Sequence, residues 1–143
     1  MAYLIALPIG WDRERSGRGV GLRTFPLVAV ASCGYLLIAR DIALTNPDVQ
    51  SRVLQGLLGG IGFIGGGAIL KEGGAVRGTA TAASIWNTGA IGVAVAFDRF
   101  EIALVLGVIN LLTLRFLTSF KQAANVGADR DGPSSQPRSD PDD

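Results

Sequence analysis

The sequence predicts an all-α, polytopic membrane helical domain with four clear transmembrane helices, a short or truncated first one and a disordered C-terminal tail. Three features of the chain lead there. Hydrophobic residues make up 48%, mean hydropathy is +0.37 and charged residues are only 17%. The charges stand between apolar blocks rather than inside them, which is what a bilayer demands. One block, Val53 to Leu70, is crowded with glycine and has no charge, over about the length a helix needs to cross the hydrocarbon core.

Met1 to Ile9 is apolar but only about half a span long. It ends at Gly10-Trp11, before the charged run Asp12-Arg13-Glu14-Arg15. Positive charges follow this stretch instead of preceding it, which argues against a signal peptide and for a first helix whose upstream half is missing. A second span runs from Phe25 to Ala39, closed by Arg40-Asp41 and a polar linker through Asn46-Pro47-Asp48. The glycine-rich span comes third, followed by a tight loop from Lys71 to Gly78. A fourth span covers Thr79 to Phe97 and, after Asp98-Arg99, a fifth covers Ile102 to Leu117. From Lys121 the chain is Pro, Ser, Asp and Arg with little to bury, so disorder is expected. The division is a transmembrane domain over 1–120 and a polar tail over 121–143.

In the third span Gly56, Gly59 and Gly60, then Gly62, Gly65 and Gly66, recur at three- and four-residue spacing. In lipid such residues make a helix-packing face that a second backbone can approach closely. In water each helical glycine would cost about 1 kcal/mol relative to alanine. The same run contains Gly60-Ile61-Gly62-Phe63-Ile64-Gly65, which matches the G-x-G-x-x-G pattern of dinucleotide-binding turns. That turn needs a strand before it and an acid about 20 residues on. Here the apolar run continues upstream, and Ala82, Ala83 and Ser84 stand near the acid's position. No cofactor is expected.

A net charge of +1 implies no nucleic-acid partner, and the single Cys33 excludes an internal disulfide. The absence of histidine removes the commonest metal ligand. Distribution of charge says more than its sum. Arg13, Arg15, Arg18, Arg23, Lys71, Arg77, Arg115, Lys121, Arg130 and Arg138 fall on one side of the predicted membrane, and Arg40, Arg52 and Arg99 on the other. By the positive-inside rule the first side, with the C-terminus, is cytoplasmic. Trp11 reads as an interface anchor and Trp86, deeper, as a packing residue.

Several ordered motifs now point to a family: Gly10-Trp11-Asp12-Arg13-Glu14, Gly21-Leu22-Arg23-Thr24, Arg52-Val53-Leu54-Gln55-Gly56, Gly60 through Gly67, Val76-Arg77-Gly78 and Thr81-Ala82-Ala83-Ser84-Ile85-Trp86. Over roughly Ile5 to Leu117 the chain resembles the membrane domain of the MgtC/SapB family of bacterial inner-membrane proteins. The resemblance implies a small polytopic helical domain. It also implies a link to low magnesium, to survival inside phagocytes and to restraint of the proton-translocating ATP synthase. The virulence-associated members add a soluble C-terminal domain, where this sequence continues as a short polar tail.

Across Phe25 to Ala39, Val53 to Leu70, Thr79 to Phe97 and Ile102 to Leu114 there is no intramembrane Asp, Glu, Lys, Arg or His. A cation-coupled carrier usually needs such a group or a broken helix near mid-membrane, and magnesium favours carboxylates and water. The intramembrane polar residues are neutral: Gln55 in the third span, Thr81, Ser84, Asn87 and Thr88 in the fourth, Asn110 in the fifth. They are either helix-to-helix hydrogen bonds or a small polar pocket facing the third helix. At the cytoplasmic rim Arg23-Thr24 opens the second helix and Arg77-Gly78-Thr79 opens the fourth. Arg23, Thr24, Arg77 and Thr79 with two helix N-termini would suit an anion such as a lipid headgroup, a phosphate or a partner's carboxylate. The competing role is topological, with the arginines paired to Asp12, Glu14 or Glu72.

Two function classes follow. One is a non-enzymatic membrane regulator that binds membrane lipid and another membrane protein or itself. The other is a transporter or channel for a small solute or ion. An enzyme is not expected, for the sequence has no nucleophile-plus-base pair and no metal cluster.

Overall fold

The computed structural model describes residues 1–16, 21–46, 48–72 and 75–128. Five helices and one hairpin follow in order: α1 (Ala2–Arg15), α2 (Thr24–Ala43), α3 (Asp48–Gly67), β1 (Leu70–Glu72), β2 (Ala75–Arg77), α4 (Thr79–Ala96) and α5 (Phe100–Ala128). The architecture is helical, as predicted. The tight loop after the third helix is an antiparallel hairpin with Leu70 opposite Arg77 and Lys71 opposite Val76. Gly78 turns the chain from that hairpin into α4 at φ 86°, and a Cβ there would collide with the Ala68 carbonyl oxygen. Both the conformation and the space call for glycine.

Helix α4 is the hub and packs against each of the other four helices. Ile85 and Ile91 on α4 are fully buried together with Ile9, Phe25, Val28 and Ala103. Two α4 glycines make the close approaches possible. A Cβ at Gly92 would overlap the Ala29 carbonyl oxygen of α2, and one at Gly89 would overlap the Ile61 side chain of α3. On α5, Gly107 does the same for Ile5 of α1, whose Cγ2 stands 2.9 Å from the Cβ position.

Several boundaries differ from prediction. Helix α1 continues through the charged run to Arg15, and α3 starts at Asp48, earlier than the apolar run suggested. The α5 backbone stays helical to Ala128, past Lys121 where a disordered tail was expected. The remainder of that tail, 129–143, lies outside the described residues.

By length and composition one described helix, α2, is apolar enough to cross a bilayer, with a mean hydropathy of 1.5, where four were expected. Glycine contributes little hydropathy, and α3 opens with Asp48 and Arg52. Helix α4 is diluted by Thr, Ser and Asn. The outward surfaces are nonetheless apolar: Leu104, Val105, Val108 and Ile109 of α5 are each more than half exposed. A contiguous face of that kind suits a lipid environment rather than water.

Candidate functional site

Two motif segments that are distant in sequence meet at the end of the bundle where α2 begins. A Cβ on Gly10 would lie 3.1 Å from the Leu22 Cα, and one on Gly21 would lie 2.8 Å from the Glu14 backbone nitrogen. Glycine at both positions lets α1 and the turn before α2 touch backbone to backbone. The Leu22 N–H donates to Glu14 Oε2 at 3.0 Å, locking the junction. Arg13 is buried here, 1% exposed, with a guanidinium nitrogen 3.9 Å from Asp12 Oδ2. Beside it Arg15 lies over the exposed Trp11 ring at 5.5 Å, an arrangement suited to an interfacial anchor.

Arg23 and Thr24 line a groove between α2 and α3, whereas Arg77 and Thr79 lie outside its wall. Among the described residues neither Arg23 nor Arg77 forms an ion pair. Asp12 faces Arg13 and Glu14 holds the Leu22 amide, so the two acids first considered for Arg23 are engaged elsewhere. The expected helix-start contribution at α2 needs correction. The Gly21 carbonyl accepts from the N–H groups of Thr24 and Phe25 at 3.0 and 3.3 Å, and Pro26 has none. Anion recognition at this point would rest on the Arg23 guanidinium and the Thr24 hydroxyl.

The groove encloses about 710 Å³. The short connection 44–47 makes α2 and α3 antiparallel, and the groove is lined from Arg23 to Tyr35 on α2 and from Val53 to Ile64 on α3. Leu27, Val28 and Ala31 form the α2 wall, and Leu57, Ile61 and Ile64 the α3 wall. Ser32 also lines it, 1% exposed, with a hydroxyl that has no hydrogen-bond partner. Gly56 and Gly60 open the α3 side, because nothing stands within 4 Å of a Cβ added at either.

That openness corrects the predicted glycine packing within the chain. Gly56, Gly59, Gly60, Gly62 and Gly66 all meet empty space, and only Gly65 packs, with a Cβ position 3.3 Å from the Ala82 carbonyl oxygen. The inner side of α3 is instead Ile61 and Gly65. Two glycines that seat α3 and α2 on the central helix, Gly89 and Gly92, lie on α4 at a three-residue spacing. They were legible as small residues in an apolar helix but were overshadowed by the richer run upstream.

Of the polar residues expected within the spans, Ser84, Asn87 and Asn110 tie α4 to α5. Ser84 Oγ donates to Asn110 Oδ1 at 2.6 Å, and Asn110 Nδ2 donates to the Ser84 carbonyl at 3.3 Å. Asn87 Nδ2 donates to the Leu106 carbonyl at 3.1 Å, and Thr88 Oγ1 returns to the Ser84 carbonyl at 2.8 Å. Thr81 is buried on the same helix, whereas Gln55 is exposed on α3 and apart from the group. Trp86, predicted to pack, is 51% exposed. At the opposite end of the bundle Arg40 ties α2 to the end of α4, donating to Asp98 Oδ2 at 3.1 Å and to the Ala96 carbonyl. Among the described residues no three of His, Cys, Asp and Glu come together as a metal site.

Comparison with known proteins agrees with the motifs that meet in this fold. A model of the MgtC family matches residues 1–123. Protein SrpB of Synechococcus elongatus is 36% identical over 138 residues, covering 88% of this chain and 74% of that protein. Protein MgtC of Salmonella typhimurium is 36% identical over 124 residues, covering 87% of this chain and 52% of that protein. YhiD of Escherichia coli, named a putative magnesium transporter, is 33% identical over 120 residues, covering 80% of this chain and 56% of that protein. The chain therefore spans about half the length of the MgtC and YhiD relatives it matches. No solved structure matches it. With the family model covering most of its length and these relatives aligned over most of it, the chain belongs to the MgtC family and is a membrane protein.

Proposed function

We propose that this chain is a non-enzymatic, multi-pass protein of the bacterial inner membrane that regulates another membrane protein by binding it through the open side of α3. Its C-terminus is cytoplasmic, and its role is linked to low-magnesium or stress adaptation. The observation that carries this reading is the stripe Gln55, Gly59, Gly62 and Gly66. Spacings of four, three and four place these residues along one side of a helix. Nothing in the chain stands within 4 Å of a Cβ added at any of the three glycines. In lipid, helices associate through close backbone approach and interhelical hydrogen bonds, and this stripe offers three glycines and one amide. The partner is another membrane protein or a second copy of the chain. The magnesium link is suggested by the family and by the name of the YhiD relative.

A photoreactive residue placed at Gly59 in native membranes tests this. A discrete adduct with one membrane protein, lost when Gly66→Leu is added, is the expected result. No adduct under conditions in which the protein is functional would end the reading. A small-solute or ion transporter is the second reading, favoured by the relative named a putative magnesium transporter. Magnesium flux into proteoliposomes well above protein-free liposomes would put that reading first.

A further inference from the structure

We propose that the groove between α2 and α3 binds one anionic phospholipid, its phosphate on the Arg23 guanidinium and Thr24 hydroxyl and an acyl chain lying along the groove. This deepens the membrane placement above and is independent of protein docking on α3. The groove uses Gly56 and Gly60, whereas the docking stripe uses Gly59, Gly62 and Gly66.

Charge is the first ground. Arg23 lines the groove without an ion pair among the described residues, and its two nearest acids in sequence, Asp12 and Glu14, are engaged with Arg13 and the Leu22 amide. A cation at the mouth of an apolar cleft, at the edge of a membrane, attracts an anion. Shape is the second. From Thr24 to Tyr35 the groove follows α2 for about 16 Å at the helical rise per residue. Half of a hydrocarbon core is about 15 Å, so the groove runs the depth of one leaflet with its charge at the headgroup level. Polarity is the third. Arg23 and Thr24 sit at one end, and Leu27, Ala31, Leu57 and Ile61 supply the walls beyond it. A soluble anion would use only the mouth, and an apolar helix would leave Arg23 unanswered. An amphiphile with a phosphate at one end matches both parts. The open space at Gly56 and Gly60 lets a chain lie against the α3 backbone.

The test is native mass spectrometry and thermal melting of the full chain in mild detergent, with phosphatidylglycerol or phosphatidylcholine added. Wild type should retain one phosphatidylglycerol in preference to phosphatidylcholine. Arg23→Gln should weaken that retention about fivefold, the loss expected for one arginine near an anionic membrane surface. Gly60→Leu should abolish it by filling the groove while melting no lower than wild type, since its Cβ meets open space. Gly59→Leu, open but outside the groove, should retain lipid as wild type does. If Gly60→Leu fails to fold, Gly56→Leu fills the same groove one turn away. Equal retention of the two lipids by wild type would overturn the proposal, and so would wild-type retention by both Arg23→Gln and the filled-groove variant. Inorganic phosphate that raises the melting temperature as much as phosphatidylglycerol does would reduce the site to its mouth and also overturn it. Conversion of a dimer to a monomer by Gly60→Leu would assign the groove to a second copy, again overturning the lipid. Loss of the Gly59 adduct with lipid retention intact would count against protein docking alone.

Discussion

The side chain of Ile61 on α3 occupies the space that a Cβ on Gly89 of α4 would fill. One helix turn further along α4, Gly92 gives the same room to the Ala29 carbonyl of α2. These two contacts seat α2 and α3 on the central helix. They also set how α3 is turned, with Ile61 and Gly65 inward and its other glycines outward.

Enlarging the α4 glycines should therefore be far more damaging than enlarging the exposed ones. Gly92→Ala should destabilise by about 1–3 kcal/mol, the usual cost of forcing atoms into a filled interior. Gly89→Ala should cost less, because the Ile61 Cδ1 can rotate away whereas the Ala29 carbonyl is backbone. Gly62→Leu and Gly66→Leu should melt at or above wild type, since their Cβ positions are open and helical glycine is unfavourable. Thermal unfolding in detergent measures all four. A Gly92→Ala protein as stable as Gly62→Leu would show that the α2–α4 contact can relax.

The bonds between Ser84 and Asn110 should be measurable as a coupled pair. Asn110→Ala removes both the 2.6 Å and the 3.3 Å bonds, whereas Ser84→Ala removes only the first. Each such interhelical bond is worth roughly 0.6 to 2 kcal/mol in a membrane. Asn110→Ala should thus be the more destabilising single change. The double mutant should lose less than the sum of the two singles, because the shared bond disappears only once. Strict additivity would mean that the two side chains do not interact.

The helical architecture was legible because apolar blocks of span length, separated by charges, have few other solutions in a chain with one cysteine and no histidine. The family was legible from ordered short motifs, and the fold explains two of them: Gly10 and Gly21 are where α1 and the start of α2 touch. Orientation of α3 was not legible. A helix with glycine on several sides carries no periodic signal for which side faces inward, and the partner surface on α4 needed only two small residues. The α4–α5 pairing was half legible. Ser84, Asn87 and Asn110 were recognisable as intramembrane hydrogen-bonding groups, but sequence spacing cannot say which neighbouring helix a polar side chain will meet. Arg13 was read only as a topological charge, because its neighbours Asp12, Glu14 and Arg15 give no hint that one of the four is buried.

Arg40 should matter more than the acid it meets. The ion pair with Asp98 is well exposed, and exposed pairs are worth only about 0–1 kcal/mol. Arg40 also donates to the Ala96 carbonyl at the C-terminal end of α4, satisfying a group the helix cannot satisfy itself. Asp98→Asn should therefore be nearly neutral, and its φ of 59° is one that asparagine also tolerates. Arg40→Ala should lower the melting temperature further than Asp98→Asn. The reverse order would mean that Asp98 acts through its backbone conformation rather than through Arg40.

The C-terminus should lie in the cytoplasm. On the charge pattern of the sequence, ten positive residues are assigned to the side of the loop after α3 and the tail, against Arg40, Arg52 and Arg99 on the other. Arg40 reaches Asp98, the neighbour of Arg99 in the chain, so these two of the three lie at one end of the bundle. Short loops are where such a bias decides orientation, and the connections 44–47 and 97–99 are short. A fluorescent protein that matures only in the cytoplasm, fused after Gly127, should be bright, and a phosphatase active only outside should be silent at the same site. The opposite pattern would invert the chain and move Arg23, with the groove it opens, to the outer leaflet. The lipid retention expected in detergent would be unchanged by that inversion, so the two measurements separate where the groove faces from what it holds.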